Sequence, residues 1–232
     1  MDLDDFPFRF KSGSRAIFFD GYSVIGDLHI GFEDEINKNG YNIWDKTEEL
    51  TNSIISLKTK KLILLGDIRK EYTYIKGKEE GILIKFFSQL SNAFQEIILT
   101  KGNHDGGIER ITSKFNNIIV KKEFIHKKVG FMHGHSLPSK KFAENANTLC
   151  MGHLHPFIFI KDSNGMSYRE DCFFFTKISL PEDKFPNSRL KNGIVLPKFN
   201  PYIGGSDEFE EKSLMKYLKV EARMTANLLI VR

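Results

Sequence analysis

Five short motifs carry residues able to do chemistry: Asp27-Leu28-His29, Gly66-Asp67, Gly102-Asn103-His104-Asp105, His133-Gly134-His135 and Gly152-His153-Leu154-His155. Six of the seven histidines sit in them, and only His126 lies outside. Carboxylate, imidazole and amide oxygen make a mixed oxygen and nitrogen donor set. The lack of thiolate in the motifs points away from soft metals and toward Mn, Fe, Zn or similar divalent ions. The candidates outnumber the ligands of one tetrahedral ion. They suit two ions about 3.5–4 Å apart that share a carboxylate. Taken singly, each motif has a plain structural reading. An Asp-x-His is commonly a surface pair, a Gly-Asp a turn, and His133-Gly134-His135 a polar loop. The ordered set of five, each at the end of an apolar run, is what points to a metal centre.

Positioning such a set takes strands that end together. Residues 16–19 and 22–25 are apolar runs around Asp20-Gly21, a hairpin signal. The second run feeds Asp27 and His29. Residues 45–57 have helical spacing, with Leu50, Ile54 and Leu57 on one face. Residues 61–65 form an apolar strand running into Gly66-Asp67, residues 82–90 a helix, and residues 96–100 a strand running into Gly102. Strand, polar loop and helix thus alternate three times, the pattern of a parallel α/β sheet. Ligands of such sheets bind outside the carboxyl ends of the strands. In a strand, positions i and i+2 face one way, so Asp27 with His29 and His153 with His155 are expected to point together. Glycines before the motifs let the backbone turn close to a ligand.

The second half has less helix. Residues 117–120, 129–132 and 148–151 read as strands, and 157–161, 167–170 and 172–176 as antiparallel hairpins with Asn164-Gly165 as one turn. Residues 194–196 and 228–231 are candidate further strands, and 181–191 a loop. No repeat, low-complexity tract or linker interrupts the chain. The expectation is one domain over 1–232, with a motif core about 22–160 and C-terminal strands and tail over 161–232.

Composition bounds the rest. The 232 residues are 41% hydrophobic and 28% charged, enough for a real core and not a disordered chain. A net charge of +4 neither marks nor excludes a nucleic-acid binder. The two cysteines, Cys150 and Cys172, form no C-x-x-C motif and read as small core residues in a reducing compartment. The acidic start Met-Asp-Leu-Asp-Asp has no signal-peptide pattern, and no apolar run is long enough for a membrane span. A cytoplasmic location is expected.

The motif series D-L-H, G-D, G-N-H-D, H-G-H and G-H-L-H resembles the calcineurin-like metallophosphoesterase superfamily over about residues 22–160. Asp171-Cys172-Phe173, the run Ile194 to Pro201 and Gly204-Gly205 are similar to the ICC-like predicted phosphoesterases of archaea and bacteria, a branch that includes proteins associated with DNA-ligase operons. The resemblance implies a four-layer α-β-β-α sandwich of two mixed sheets with a dinuclear centre. It implies that Asp27, His29, a bridging Asp67 and His155 hold one metal, and that Asp67, Asn103, His133 and His153 hold the other. His104 is then catalytic rather than a ligand. The implied cofactors are two divalent ions, Mn first, with Fe, Zn or Ni as alternatives. The branch commonly has Lys-His shortly after Gly-Asp, where this chain has Arg69-Lys70. No second Asp follows Asp67 at the spacing that orients the histidine in some members. Asp105 is left either to brace the loop through Asx-type bonds or to partner His104.

The expected activity is hydrolysis of phosphate esters, phosphodiesters before others, by a metal-activated hydroxide with His104 as general acid. Imidazole suits that role because its ordinary pKa lies near neutrality. Arg69 and His135 are candidate substrate contacts. Lys70 and Lys101 read as solvated loop charges, and the cluster Lys121-Lys122 through Lys127-Lys128 as the exposed face of a strand pair rather than a polyanion contact. The competing readings are a DNA or RNA nuclease with the same chemistry and a non-catalytic binding scaffold of the same fold. The sequence names a phosphate-ester substrate, allows nucleic acid, gives no membrane partner and is silent on oligomeric state.

Overall fold

The computed structural model describes residues 6–205, 214–227 and 230–231. Its first half runs β1 (Arg9–Phe10), β2 (Ile17–Phe19), β3 (Tyr22–Ile25), α1 (Phe32–Lys38), α2 (Thr47–Ile55), β4 (Lys61–Leu64), α3 (Lys78–Ala93), β5 (Glu96–Thr100), α4 (Glu109–Thr112) and β6 (Ile118–Lys121). The second half runs β7 (Glu123–His126), β8 (Val129–Met132), α5 (Lys140–Asn145), β9 (Thr148–Met151), β10 (Phe157–Lys161), β11 (Ser167–Ile178), β12 (Asn192–Val195), β13 (Leu218–Thr225) and β14 (Ile230–Val231).

The first six strands form one sheet in chain order, antiparallel from β1 to β3 and parallel from β3 to β6. The second sheet has the order β14-β13-β11-β12-β9-β8-β7, with β10 paired to the outer half of β11. Its centre, β12-β9-β8, is parallel, and its flanks are antiparallel.

Strand periodicity sorts the side chains into layers. In β4 and β5, Ile63 and Ile98 face the second sheet, while Leu62, Leu64, Ile97 and Leu99 face the helices. In β11, Phe173 and Phe175 face the first sheet, while Cys172 and Phe174 face the outer layer built on α5. The result is α-β-β-α, and the abundant phenylalanines fill the space between the sheets. Helix α3 buries Leu83, Phe86, Phe87 and Leu90, an i, i+3, i+4, i+7 stripe. Each such buried side chain contributes about 1.5–3 kcal/mol. The β2–β3 turn is the expected two-residue hairpin, with Asp20 and Gly21 both at positive φ.

Three expectations change. Residues 167–170 and 172–176 are one strand, β11. Asp171 looked like a break, yet it is buried and satisfied: Lys198 Nζ and Arg15 Nε both donate to its carboxylate. Helix α3 extends beyond 82–90 at both ends, and α2 stops before Leu57. The sequence reading also missed β1, β7, β13 and the short helices α1, α4 and α5. Of the strand expected at 228–231, residues 228–229 lie outside the described residues. Both cysteines are free and buried, as expected. No helix among the described residues is long and apolar enough to cross a membrane.

Candidate metal centre

The carboxyl ends of β3, β4 and β5 meet those of β8 and β9 at one end of the sandwich. The loops there are knit by backbone bonds. The N–H groups of Leu28 and His29 donate to Asp67 O, and that of Gly152 donates to His133 O. Three overlapping groups of donor atoms result: Asp27, His29 and His155; His29, Asp67 and His104; and Asp67, His133 and His153, each within 4.8 Å. Asn103 joins them through Oδ1, 3.2 Å from His133 Nε2. All seven candidate ligands and His104 are therefore brought together.

The expected i, i+2 strand geometry is not how this is done. Strand β3 ends at Ile25 and β9 at Met151, so the motif residues lie beyond them. Asp27, His29, Asp67, His153 and His155 all have positive φ, between 44 and 74°. A non-glycine residue in that region costs roughly 1–3 kcal/mol, and such strain gathers at functional sites. The left-handed turns, not a pleat, aim these side chains inward. Two glycines permit the close approach. A Cβ on Gly102 would lie 2.1 Å from Asp67 Oδ1, and one on Gly152 2.5 Å from Asp27 Oδ2.

Hydrogen bonds to carbonyls fix the rings. His133 Nδ1 donates to Leu65 O at 2.6 Å, His155 Nδ1 to Gly204 O at 3.1 Å, and His104 Nδ1 to Lys70 O at 2.6 Å. The Nε2 atoms of the neutral rings are then acceptors. His133 Nε2 faces His153 Nδ1 at 3.1 Å and Asp67 Oδ2 at 3.2 Å. His155 Nε2 faces Asp27 Oδ1 at 3.2 Å and His29 Nε2 at 3.3 Å. Lone pairs aimed at one another need a cation or a proton between them, and these donors fit divalent ions that take nitrogen and oxygen. His29 Nδ1 is buried with no hydrogen-bond partner among the described residues.

Titration follows the same geometry. Burial opposes charge on His133, but the Asp67 and Asp27 carboxylates outweigh it and hold this ring up at about 9. Burial pushes His29 and His153 down to about 4, with the charge on His133 adding to the effect on His153. Burial also opposes ionisation of Asp67, yet His133 and the His104 backbone N–H hold its carboxyl well below the usual range. Asp27 is lowered as well: His155 and His133 overcome its burial.

Asp105 braces the loops. Its Oδ2 accepts from the N–H of Asp67 and of Gly102, and its Oδ1 from that of Ile68, each at 2.8 Å. No bond runs from Asp105 to the His104 ring, whose Nδ1 goes to Lys70 O instead. Asp105→Ala strands three buried donors at about 1–3 kcal/mol each. Urea unfolding is expected to show a loss of about 3 kcal/mol or more, and an unchanged midpoint would refute the brace.

The two candidate substrate contacts separate. Arg69 is fully buried, and its guanidinium donates to both Glu79 oxygens and to the carbonyls of Thr73 and Gly106. It is a clamp between loops and does not present free donors to the cluster. His135 lies beside the cluster, its ring 5.4 Å from that of His133. Burial, then the His133 charge, lowers its pKa. Lys70 pairs with Glu35 and Lys101 with Glu109 at the surface.

Sequence reasoning missed several supports. Asn200 Nδ2 donates to Leu28 O, between Asp27 and His29, and Gly204 O holds His155. Both lie in tail motifs that the sequence singled out without a role. Tyr72, which packs on His104, carried no signal at all.

No curated protein matches the chain. Among solved structures, the Pseudomonas putida nuclease MPE is similar with a TM-score of 0.59 at 18% identity, over 92% of this chain and 89% of that one. That likeness is one of fold. A protein of unknown function from Aquifex aeolicus, AQ665, is 21% identical over 58% of this chain and 78% of that one, with a TM-score of 0.39 too low to carry an argument. The sequence profile of calcineurin-like phosphoesterases matches residues 23–222, a range that includes all five motifs. The chain belongs to the calcineurin-like phosphoesterase family.

Proposed function

We propose that the chain is a hydrolase of phosphate esters, phosphodiesters before monoesters, working with two divalent ions, Mn first among them. One observation carries this reading: seven donor side chains from five loops converge, and Asp67 lies within reach of both histidine pairs. Asp27, His29, Asp67 and His155 would hold one ion, and Asp67, Asn103, His133 and His153 the other. When bound, such ions offset phosphoryl charge and make water a nucleophile near neutral pH.

The chain's own groups do the rest. The carbonyls of Leu65 and Gly204 lock the tautomers of His133 and His155. Asn103 offers a neutral oxygen, which limits the negative charge gathered around an anionic ester. In its doubly protonated form His104 keeps Nδ1–H on Lys70 O and gives its Nε2 proton to the leaving oxygen as the bond to phosphorus breaks, which leaves the ring neutral. The diester preference rests on charge. Arg69, Lys70 and Lys101 are all paired, so they spare no cation for the second charge of a monoester.

Residues 1–232 act as one domain on this reading, since tail residues Asn200 and Gly204 complete the site. Those tail contacts fit the ICC-like branch, and the buried free thiols fit a cytoplasmic setting.

A second reading, a nuclease with the same chemistry, draws on exposed aromatic side chains. Trp44, the single tryptophan, is 81% exposed, Tyr41, Tyr72 and Tyr74 are exposed as well, and Tyr72 packs on His104. Rings held in water suit stacking on unpaired bases. The deciding experiment measures turnover of an aryl phosphodiester, an aryl phosphomonoester, and single- and double-stranded DNA, with Mn and other divalent ions added in turn. Ion-dependent diester cleavage is expected. Binding of ions with no turnover of any substrate would leave the scaffold.

A further inference from the structure

We propose that Tyr72 is a positioning residue that sets both the amide of Asn103 and the ring of His104. It rests on the hydrolytic reading above and adds a residue from outside the five motifs.

Tyr72 is 67% exposed, so burial of apolar surface does not explain its place. What it touches is the site. Its ring lies 3.7 Å from the His104 ring between centroids, tilted by 32°. Its hydroxyl accepts a hydrogen bond from Asn103 Nδ2 at 3.4 Å.

An amide has a donor end and an acceptor end, and an exposed asparagine can present either. Anchoring Nδ2 on Tyr72 leaves Oδ1 turned to the cluster, 3.2 Å from His133 Nε2. The flipped amide would present N–H groups there, which repel a cation. For His104, the bond from Nδ1 to Lys70 O fixes one edge but leaves the ring free to swing about that bond. The Tyr72 ring closes off one face and so helps aim Nε2. One side chain thus aligns a neutral ligand and a proton donor that are adjacent in sequence and do different work.

The two roles separate by substitution. Tyr72→Phe keeps the ring and removes the hydroxyl, whereas Tyr72→Ala removes both. Outer partners of this kind are typically worth about 10–100-fold in metal affinity or activity. Titration calorimetry with Mn alone should show about tenfold weaker binding for both variants. Rates are then compared on two diesters. A nitrophenolate departs without a proton, while the alkoxide of a dinucleotide needs one. Tyr72→Ala should lose about 10–100-fold more on the dinucleotide than on the nitrophenyl ester, and Tyr72→Phe should keep the wild-type ratio. In a His104→Ala background, Tyr72→Ala should not change the ratio further.

Wild-type Mn affinity in both variants overturns the Asn103 role. Equal losses by Tyr72→Ala on the two esters overturn the His104 role. If the wild-type protein cleaves neither ester, the hydrolytic reading falls and the His104 role with it. The Mn titration still upholds or overturns the Asn103 role in that case.

Discussion

His104→Ala is expected to lower kcat on a dinucleotide by roughly 10²–10⁴, the usual worth of general acid catalysis, while Mn affinity stays near wild type. Three observations set that pairing. The ring is buried, its Nδ1 is committed to Lys70 O, and its Nε2 lies 3.7 Å from Asp67 Oδ2, at the edge of the cluster. The bond that matters to the cluster is made by the backbone: His104 N donates to Asp67 Oδ1 at 3.0 Å, and alanine keeps it. On the proposed assignment, each ion also has four donors without His104. The competing assignment is open to the same measurement, because His104 shares a 4.8 Å donor group with His29 and Asp67. A fall in Mn affinity alongside kcat would make His104 a ligand. A leaving-group dependence without that fall makes it the acid. The loss should be far smaller on a nitrophenyl ester, whose leaving group needs no proton.

Much of the centre was legible because local signals and global placement agreed. Asp27, Asp67 and Asn103 each follow an apolar run, and a polar residue at the end of a buried strand has few structural reasons to be there. The hairpin at Asp20-Gly21 and the stripe on α3 were legible for the same reason: both are set by neighbours in sequence. What failed depends on distant partners. Asp171 looked like the end of a strand because its counter-charges, Lys198 and Arg15, lie 27 and 156 residues away. Arg69 looked available to substrate because it follows Gly66-Asp67 closely, and nothing local reveals that Glu79 claims it with two bonds. The motif spacing was read as strand alternation, whereas left-handed backbone after the strand ends does the aiming. That conformation is held by bonds between loops far apart in sequence, such as those of Asp105 to Asp67 and Ile68 and of His153 N–H to Asp27, and a sequence does not display them. Tyr72 and the carbonyls of Lys70, Leu65 and Gly204 share this property. They are ordinary residues made important only by where the fold puts them.

Asp67→Asn is expected to weaken Mn binding by more than the roughly 10–100-fold that loss of an outer partner costs, and to abolish turnover. Asparagine keeps the size and can still accept from His104 N, so the change isolates charge. That charge also governs protons. Asp67 keeps His133 protonated up to about 9, above its ordinary 6.5, so an ion that binds at neutral pH must displace that proton. Wild-type affinity should therefore rise about tenfold per pH unit below about 9, with about one proton released per ion at that site. In Asp67→Asn, the ring loses the carboxylate that holds its proton, and the slope should flatten. The metal-free protein gives an independent check on sign. The raised His133 contributes stability that is fully present below 6.5 and lost as pH rises through about 9. The lowered Asp67 contributes stability present above its ordinary 3.8 and lost as pH falls further. Thermal melts of the metal-free wild type should thus soften on both flanks, and Asp67→Asn should shrink both flanks together, since the Asp67–His133 pair contributes to each. Calorimetry in buffers of different ionisation enthalpy counts the released protons. An unchanged proton count in Asp67→Asn would show that Asp67 does not hold the His133 proton.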